Sequence, residues 1–402
     1  MLPDSLLILL ATAIATLFFS RRQSKAIALL GLILTGLWLG PHSAFAWREI
    51  GQLFAYIFLF GVGAVIMFSR SQRKRIALFV LSAFALVGSA GTTDLFVFYL
   101  FWEIACIASY FLAFSPDSKK AGFRYTISSI LSSGFIFLAI ALLYAETHSV
   151  AFSALGMLQN PSIVFSLLTV GFGLRSLIFP LHFWAPDLYS LAPNDTSALF
   201  AGLLSKLGLL GLFRMALSLP QAIPFLIGAG IVTMVSGNLF AFSQKEVKRT
   251  LTFSSVAHLG YLLIGLGMMT QVSTATILHS VTHAAGLLLA FLSVGREKLV
   301  SELSLPPLRR ASFMAGILLL AGLPDLIKSS IVGSLPAGIG LFVALNIVFS
   351  LSYYWRLLSC KKEKGPEGIS MSQVTALLIL AVLAAAILLF PSTELWIAEV
   401  MG

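Results

Sequence analysis

Three ionisable side chains lie in the middle of long apolar segments. Glu103 belongs to DLFVFYLFWEIACIASYFLAF, Arg175 follows SIVFSLLTVGFGL, and Lys206 belongs to SALFAGLLSKLGLLGLF. An ionisable group at the centre of a lipid bilayer costs at least ~2.5–3.5 kcal/mol, so each residue is a candidate for function. A buried carboxylate or amine can exchange a proton, whereas a guanidinium keeps its proton in proteins. These residues could therefore transfer protons, with Arg175 restricted to compensating charge. Arg214, two turns after Lys206, is instead expected to snorkel to the outer surface.

Histidines and hydroxyls form a second group of candidates. Ser254, Ser255 and His258 share one face of the apolar segment TLTFSSVAHLGYLLIGLG, and His279 and His283 are four residues apart in ILHSVTHAAGLLLAF. A neutral imidazole both donates and accepts a hydrogen bond, so this group suits a proton relay. The alternative for such a histidine is a hydrogen-bonded core residue. The histidine pair would also suit zinc, but no third ligand stands out, and we expect no metal.

The segment that carries Arg175 must be interrupted if it crosses a membrane. As one helix, Pro161–Leu191 would be roughly 46 Å long at ~1.5 Å per residue, whereas the hydrocarbon core is only ~30 Å thick. Gly171, Gly173 and Pro180 offer positions for a break. Transporters use a broken helix of this kind, next to a buried cation, for ion sites in the middle of the membrane.

A second candidate interruption lies at Gly322–Pro324, close to Lys328. Asp325 precedes Lys328 by three residues and could pair with it if a helix continues between them. Five predicted helices separate the two interruptions, and broken helices at matching places in two halves indicate repeated units. Because five is odd, successive units must have opposite topology. The predicted repeats are approximately residues 76–217 and 223–357.

The composition indicates that these elements belong to a polytopic membrane protein. Of the 402 residues, 58% are hydrophobic and 10% are charged, and the mean hydropathy is +0.96, whereas soluble domains carry ~25% charged residues. We therefore predict an all-α fold that forms a single membrane domain over residues 1–402. The two cysteines, Cys106 and Cys360, indicate neither a disulfide framework nor a metal site. The formal net charge of +10 is interpreted through membrane topology, and no nucleic-acid binding is expected.

About fourteen membrane spans of ~17–25 residues are predicted from the apolar segments. Their predicted starts lie near Leu6, Ala26, Gln52, Ile76, Leu95, Tyr125, Ser162, Thr196, Ile223, Thr250, Thr274, Ala311, Pro336 and Met371. If the N-terminus is outside, the odd-numbered loops face the cytoplasm, and those loops hold 21 of the 26 lysines and arginines. Because positive charge collects on the cytoplasmic side, we predict that both ends are non-cytoplasmic. The predicted location is a prokaryotic-type cell membrane.

A stretch of more than forty residues carries a clear family resemblance. GFGLRSLIFPLHFWAPDLYSLAPNDTSALFAGLLSKLGLLGLFR contains the patterns F-P-L-H-x-W-x-P-D, A-P-x-x-x-S-A-L and L-L-x-K-x-G. It resembles the core of the antiporter-like subunits of complex I, of Mrp-type cation/proton antiporters, and of membrane-bound hydrogenases and sulfur reductases. FWEIACIASY and QKEVKRTLTFSSVAHLG are similar to further segments of the same family. The resemblance implies two inverted five-helix repeats, over spans four to eight and nine to thirteen, with spans seven and twelve broken.

The resemblance also implies roles for individual residues. Glu103 is similar to the family's span-five glutamate, which pairs with a span-seven lysine, and Arg175 stands in that lysine's position. We therefore expect an ion pair between Glu103 and Arg175, because a buried charge without a partner is costly. Lys206 resembles the family's central lysine, and Lys328 resembles the terminal lysine of the second half-channel. Leu287 stands where many members have a further lysine.

The function that the resemblance implies is movement of protons, with Na⁺ as the alternative ion, along a polar axis near the membrane midplane. The expected axis comprises Glu103, Arg175, Lys206, His258, His283 and Lys328, with His182, Asp187, Ser254, Ser255, His279 and Asp325 in secondary positions. The driving force would come from a redox reaction or an ion gradient handled by other membrane subunits of one complex. No cofactor and no active site of its own are expected for this chain.

Two alternatives remain open at the level of the sequence. In the first, the chain is a non-conducting scaffold that joins a redox arm to the true pumps. Arg175 and Leu287 favour the scaffold, whereas Glu103, Lys206 and His258 favour transport. The second alternative is a stand-alone secondary transporter, which is disfavoured because the resemblance is to subunits of assemblies.

Overall fold

The chain is mainly α-helical in the computed structural model, which describes residues 4–39, 49–294, 299–321, 337–359 and 361–362. Seven helices in this part of the chain are long and apolar enough to cross a membrane. Shorter apolar helices accompany them at Asp4–Ala15, Ser162–Arg175 and Leu278–Ser293. An apolar helix suits a bilayer because its backbone hydrogen bonds are made internally. The predicted helical membrane fold is therefore confirmed, while the count of fourteen spans stays a prediction.

The described helices belong to two compact units, of which the first comprises Met1–Ser176 and Leu203–Leu219. Its helices are α1 Asp4–Ala15, α2 Arg21–Leu39, α3 Glu49–Phe68, α4 Arg73–Ala90, α5 Leu95–Ala113, α6 Lys119–Thr147, α7 Ser162–Arg175 and, later in the chain, α10 Ser205–Ser218. A short 3-10 helix, Phe152–Met157, follows α6. Helix α4 is the centre of this unit, because its run from Ser82 to Ala90 is entirely buried and packs against α1, α3 and α5.

The second unit comprises Leu177–Gly202 and Pro220–Gly402. Its described helices are α8 Ala185–Leu191, α9 Asn194–Leu199, α11 Ile223–Ser243, α12 Val247–Gly267, α13 Met269–Ser293, α14 Pro307–Ala321 and α15 Ala337–Leu358, with 3-10 turns at Pro220–Ala222 and Val300–Glu302. A two-residue parallel pair joins β1 Ser304–Leu305 to β2 Lys361–Lys362. Helix α12 is the core of this unit, because every residue from Thr250 to Gly267 is buried.

Glycines allow the backbones of α11 and α12 to touch in the second unit. A Cβ atom on Gly237 would lie 2.4 Å from the Ala257 backbone nitrogen, and one on Gly260 would lie 2.4 Å from the Met234 nitrogen. Real Cβ atoms do not approach backbone this closely, so a larger residue would push the helices apart. The close packing fixes the height and rotation of the α12 segment that carries His258.

The segment Pro161–Leu191 is interrupted, but the interruption follows Arg175 and does not lie at the predicted glycines. Helix α7 ends at Arg175, and α8 begins at Ala185. Gly171 and Gly173 both lie inside α7, where the Gly171 carbonyl accepts a 2.6 Å hydrogen bond from the Ser132 hydroxyl of α6. Pro180 lies in the turn, consistent with its inability to continue a helix. Gly171 therefore serves the packing of α7 against α6.

Several sequence predictions fall outside the part of the chain that the structure describes. The second candidate interruption at Gly322–Pro324, with Asp325 and Lys328, lies there, as does the predicted span near Met371. The first thirteen predicted span starts each lie within two helical turns of a described helix start. The single membrane domain, the inverted repeats and the terminus topology remain predictions.

Candidate functional site

Arg175, the last residue of α7, is the centre of a buried cluster in the first unit. Its side chain is 5% exposed. The Nη2 group donates to the Cys106 sulfur at 2.9 Å and to the Tyr125 hydroxyl at 3.1 Å. The guanidinium carbon lies 4.8 Å from the centre of the Trp102 ring. A weakly hydrated, delocalised cation suits such a place, since sulfur, a phenol oxygen and an aromatic face can all stabilise it.

The predicted ion pair between Arg175 and Glu103 is wrong. No Arg175 nitrogen lies within ion-pair distance of a Glu103 oxygen in the described residues, and Glu103 Oε1 is buried without a hydrogen-bond partner there. The reason is geometric. Cys106 follows Glu103 by three residues on α5, and its sulfur accepts the Arg175 hydrogen bond that the Glu103 carboxylate was expected to accept.

Glu103 lines a cavity in the first unit, between α5 and α6. The cavity has a volume of about 560 Å³, a size typical of sites for small molecules. Its polar lining includes Cys106 and Tyr125, which accept hydrogen bonds from Arg175, and its outer wall is apolar and exposed. The lining residues are Tyr99, Glu103, Cys106, Ile107, Tyr110, Phe111, Tyr125, Thr126, Ser129, Ile130, Ser133 and Gly134.

Arg214 of α10 has a structural contact that the sequence did not indicate. Its Nη1 and Nη2 groups donate to the backbone carbonyls of Ser89 and Ala90 at 2.7 and 2.6 Å. These carbonyls belong to the last turn of α4, whose final carbonyls have no partner within the helix. Arg214 therefore caps α4, and the prediction that it extends to the membrane surface is wrong.

Lys206 is fully buried near the start of α10, at 0% exposure. A π-helical turn, Phe200–Leu204, directly precedes α10 within the 25-residue apolar segment Asn194–Ser218. Such turns occur frequently at functional sites, because the widened backbone re-aims the side chains next to it. The amine lies 3.5 Å from the Ser205 hydroxyl. The sequence predicted the buried lysine, but its apolar periodicity gave no sign of the π turn.

Three histidines meet in the second unit, His258 on α12 and His279 and His283 on α13. Nδ1 of His258 lies 3.1 Å from Nε2 of His279, and the rings of His258 and His283 stack at 4.7 Å with planes 8° apart. All three side chains are at most 3% exposed. On the other side of the His258 ring, Nε2 lies 2.8 Å from the hydroxyl of Tyr354 on α15. The structure therefore brings His258, His279 and His283 together and adds Tyr354, which the sequence analysis missed.

This histidine cluster has the geometry of a stack rather than of a metal site. The three rings are nearly parallel, while Nδ1 of His258 and Nε2 of His279 face each other at 3.1 Å. No group of three histidine, cysteine, aspartate or glutamate side chains in the described ranges could hold a metal ion. What the arrangement supports is hydrogen-bond exchange between His258 and His279.

A second polar network joins α15 to α11 and α12. The Tyr353 hydroxyl donates to Asn238 Oδ1 at 2.8 Å, and Asn238 Nδ2 donates to Asn346 Oδ1 at 3.1 Å and to the Tyr261 hydroxyl at 3.3 Å. Tyr353 and Asn238 are fully buried. The adjacent pair SYYW in an otherwise apolar segment was the signal that could have pointed to these contacts. The network links Tyr353 of α15 to Tyr261 of α12 through Asn238.

The central part of the chain matches a known membrane family. Residues 92–336, more than half of the chain, match the family described as NADH:quinone oxidoreductase/Mrp antiporter, TM. The chain belongs to this family. The resemblance inferred from the sequence is therefore confirmed.

Curated relatives of this antiporter-family member are quinone oxidoreductase subunits. It is 30% identical over 361 residues to the NADH-quinone oxidoreductase subunit N of Desulforudis audaxviator. This alignment covers 78% of this chain and 72% of the relative. It is 31% identical over 301 residues to an NAD(P)H-quinone oxidoreductase chain 4 of Synechococcus, with 67% of this chain and 56% of the relative covered. The chain thus spans only about half the length of the latter relative.

Solved structures share the fold over nearly the whole chain. A chain of respiratory complex I from Thermus thermophilus with bound aureothin has a TM-score of 0.83 and 25% identity, covering 96% of this chain and 97% of its own. A chain of an archaeal membrane-bound sulfane sulfur reductase also reaches 0.83, at 23% identity, over 95% of this chain and 75% of its own. A chain of the Mrp complex from Dietzia matches equally at 21% identity, over 94% of this chain and 49% of its own. At these identities the last two show a shared fold.

Four further residues predicted in secondary positions of the polar axis lie in the second unit: His182, Asp187, Ser254 and Ser255. Asp187 of α8 forms an ion pair with Arg249 at 2.7 Å, and both side chains are about one third exposed. His182 lies in the turn between α7 and α8, outside the candidate spans, and burial lowers the pKa of its imidazole. The Ser254 hydroxyl donates to the Leu251 carbonyl at 2.9 Å, whereas the Ser255 hydroxyl has no partner among the described residues.

Proposed function

We propose that this chain translocates protons as an antiporter-like subunit of a multi-subunit redox-driven or Mrp-type membrane complex. The observation that carries the proposal is the buried histidine stack, with ring nitrogens 3.1 Å apart and a phenol hydroxyl 2.8 Å from His258. Buried groups that can both gain and lose a proton are what a relay through an apolar medium requires. Na⁺ is the alternative ion, and the family supports both readings because it joins quinone oxidoreductases with Mrp antiporters.

In this proposal the histidine stack passes protons by exchange between neighbouring rings. His258 exchanges a proton with His279 through Nδ1, while its Nε2 keeps the contact with the Tyr354 hydroxyl. The stacked ring of His283 lies close enough to sense the charge of His258 at 4.7 Å. In a low-dielectric interior, a charge on one ring disfavours a charge on the next. Protons would therefore move one at a time.

Lys206 is the proton-exchanging cation that we propose for the first unit. It is completely buried, and an amine can release its proton whereas a guanidinium cannot. The π turn before it provides a place where the backbone can adjust as the charge changes. The predicted midplane axis is part of this proposal, with Glu103 as a further proton-binding group and Arg175 as a fixed charge.

We further propose that the driving chemistry belongs to other subunits. The relatives' names describe quinone oxidoreductases, and the fold is shared with chains of a sulfur reductase and an Mrp complex. This chain would then convert their redox work, or an ion gradient, into proton movement. It would lie in a prokaryotic-type cell membrane with both ends on the non-cytoplasmic side, as its lysine and arginine distribution indicates.

A non-conducting scaffold is the second candidate function, and two observations favour it. Arg175 is held by Cys106 and Tyr125 in a geometry that suits a permanent structural cation. Leu287, where many family members have a lysine, is fully buried on α13. A scaffold would need neither a proton-releasing lysine nor a titrating histidine.

The test is proton movement in membrane vesicles that contain the assembled complex with wild-type chain, Lys206→Ala or Lys206→Arg. A pH-sensitive dye reports acidification during substrate oxidation and, with respiration inhibited, after addition of Na⁺. We expect both variants to lose coupled proton movement, because arginine keeps the charge but cannot release its proton. The Na⁺ pulse separates an Mrp-type exchange from redox pumping. Normal movement in a well-assembled Lys206→Arg complex would contradict the proposal and support the scaffold.

A further inference from the structure

The Tyr354 hydroxyl contacts the ring nitrogen of His258 on the side away from His279. Tyr354 Oη lies 2.8 Å from His258 Nε2, and His279 Nε2 lies 3.1 Å from His258 Nδ1. Tyr354 is 0% exposed and His258 is 1% exposed, so bulk water does not reach either contact. One imidazole thus connects two partners through its two nitrogens.

The single ring proton of a neutral imidazole couples these two contacts. A neutral imidazole carries one ring proton, so one nitrogen donates while the other accepts. When the Tyr354 hydroxyl donates to Nε2, the His258 proton is on Nδ1 and is directed at His279. When Nε2 carries the proton, it donates to the Tyr354 oxygen, and Nδ1 accepts from His279. The sense of the bond at Tyr354 therefore decides the sense of the bond between the two histidines.

The Tyr354 hydroxyl can take both orientations without moving a heavy atom. A phenol O–H rotates about its C–O bond, so the Tyr354 proton can point at His258 Nε2 or away from it while the oxygen stays in place. The neighbouring Tyr353 hydroxyl donates to Asn238 Oδ1 at 2.8 Å.

We propose that Tyr354 is a positioning residue that sets which nitrogen of His258 carries the proton. With its hydroxyl donating to Nε2, the ring proton of His258 is on Nδ1, and His258 can accept no proton from His279. With the hydroxyl turned away, the ring proton is on Nε2 and Nδ1 can accept a proton from His279. The imidazolium so formed donates its Nε2–H to the Tyr354 oxygen. The proposal deepens the proposed function and rests on it, since it assigns when a proton can be transferred between the same two histidines.

The variant Tyr354→Phe removes the oxygen and keeps the ring. An Nε2–H of His258 would then lose its acceptor at this position, and buried N–H groups without acceptors are rarer than acceptors without donors. We therefore expect His258 to hold only the Nδ1–H form in this variant. The matched control is Tyr353→Phe, which removes the hydroxyl oxygen from the preceding residue of α15 and leaves both His258 contacts in place.

The experiment is ¹⁵N NMR of ring-labelled histidine in the full chain within its assembled complex in lipid. The His258 signals are those that His258→Gln removes. In the wild type we expect ring shifts averaged between the two tautomers, and in Tyr354→Phe the shifts of a pure Nδ1–H imidazole, with proton movement about tenfold slower. Tyr353→Phe should match the wild type in both measurements.

Unchanged His258 shifts in Tyr354→Phe, or the same change in Tyr353→Phe, would overturn the inference. The NMR measurement does not depend on transport. If Tyr354→Phe locks the tautomer while even the wild-type complex moves no protons, the inference on Tyr354 stands and the proposed function fails.

Discussion

The buried polar groups of the two units have different surroundings. In the first, the Arg175 guanidinium is enclosed by the Cys106 sulfur, the Tyr125 hydroxyl and the Trp102 ring. In the second, the His258 imidazole stacks on a neighbouring histidine and exchanges hydrogen bonds through both of its nitrogens. A guanidinium keeps its proton in proteins, whereas an imidazole can gain and lose one.

The difference shows that a buried charge and a proton-carrying group need different surroundings. A permanent cation is stabilised by polarisable and aromatic neighbours that themselves stay neutral. A relay needs neighbours that can reverse donor and acceptor roles, and imidazole and phenol groups do this. In the proposed function, the Arg175 cluster sets an electrostatic background, and proton exchange takes place at Lys206 and at the histidine stack.

The largest expected effect is on the histidine stack. His258→Gln keeps a polar side chain of similar reach but removes the group that gains and loses a proton. We expect proton movement to fall by about 100-fold or more, as for loss of a positioned acid–base group. Dye-reported acidification in vesicles measures this, and the amount of complex extracted and purified checks assembly.

Arg175→Lys is the matched change in the first unit. It keeps the positive charge, gives up the Nη2 contacts with Cys106 and Tyr125, and introduces a group able to release its proton. We expect proton movement to be preserved or raised. If Arg175→Lys abolished proton movement as His258→Gln does, the contrast between a fixed charge and a relay would be lost.

The next largest effect is expected on stability, from substitution of Arg214 in the first unit. Arg214→Ala removes two charge-assisted hydrogen bonds to the last carbonyls of α4, at 2.7 and 2.6 Å. We expect a loss of about 2–4 kcal/mol in unfolding free energy, seen as a lower midpoint of heat unfolding of the purified complex. Arg214→Lys, which can replace only one of the two bonds, should lose less. An unchanged midpoint for Arg214→Ala would mean that the arginine extends to the membrane surface after all.

The sequence was sufficient for features that depend on composition and local spacing. The apolar segments predicted the helices, and the excess length of Pro161–Leu191 predicted its interruption. Lys206, His258 and His283 were found because a polar residue in an apolar segment is conspicuous whatever the tertiary structure.

Features that depend on contacts between distant segments could not be predicted. The partner of Arg175 was predicted to be Glu103 from the family resemblance and from the cost of an unpaired buried charge. The sequence does not show how α5 is rotated against α7, and it is the sulfur of Cys106, three residues after Glu103 on α5, that contacts the Arg175 guanidinium. Tyr354 was missed for the same reason, since it is 96 residues from His258 along the chain. The π turn before Lys206 could not be predicted, because it does not change the hydrophobic periodicity of the sequence.

The smallest expected effect tests the rotation of α5 directly, through two double-mutant cycles in the first unit. One cycle combines Arg175→Lys with Tyr125→Phe, and the other combines it with Glu103→Gln. Residues in contact couple by about 0.5–3 kcal/mol, and residues without contact by less than about 0.5 kcal/mol. Because Arg175 donates to Tyr125 at 3.1 Å and forms no ion pair with Glu103, only the first cycle should depart from additivity.

The measurement is the heat-unfolding midpoint of the purified complex for each single and double variant. Glu103→Gln alone should change the midpoint little, because the carboxylate oxygen it replaces has no hydrogen-bond partner in the described part of the chain. In a true buried ion pair, removal of one partner costs ~3–5 kcal/mol, because it leaves the other charge uncompensated. A large loss for Glu103→Gln, together with strong coupling to Arg175→Lys, would restore the ion pair predicted from the sequence.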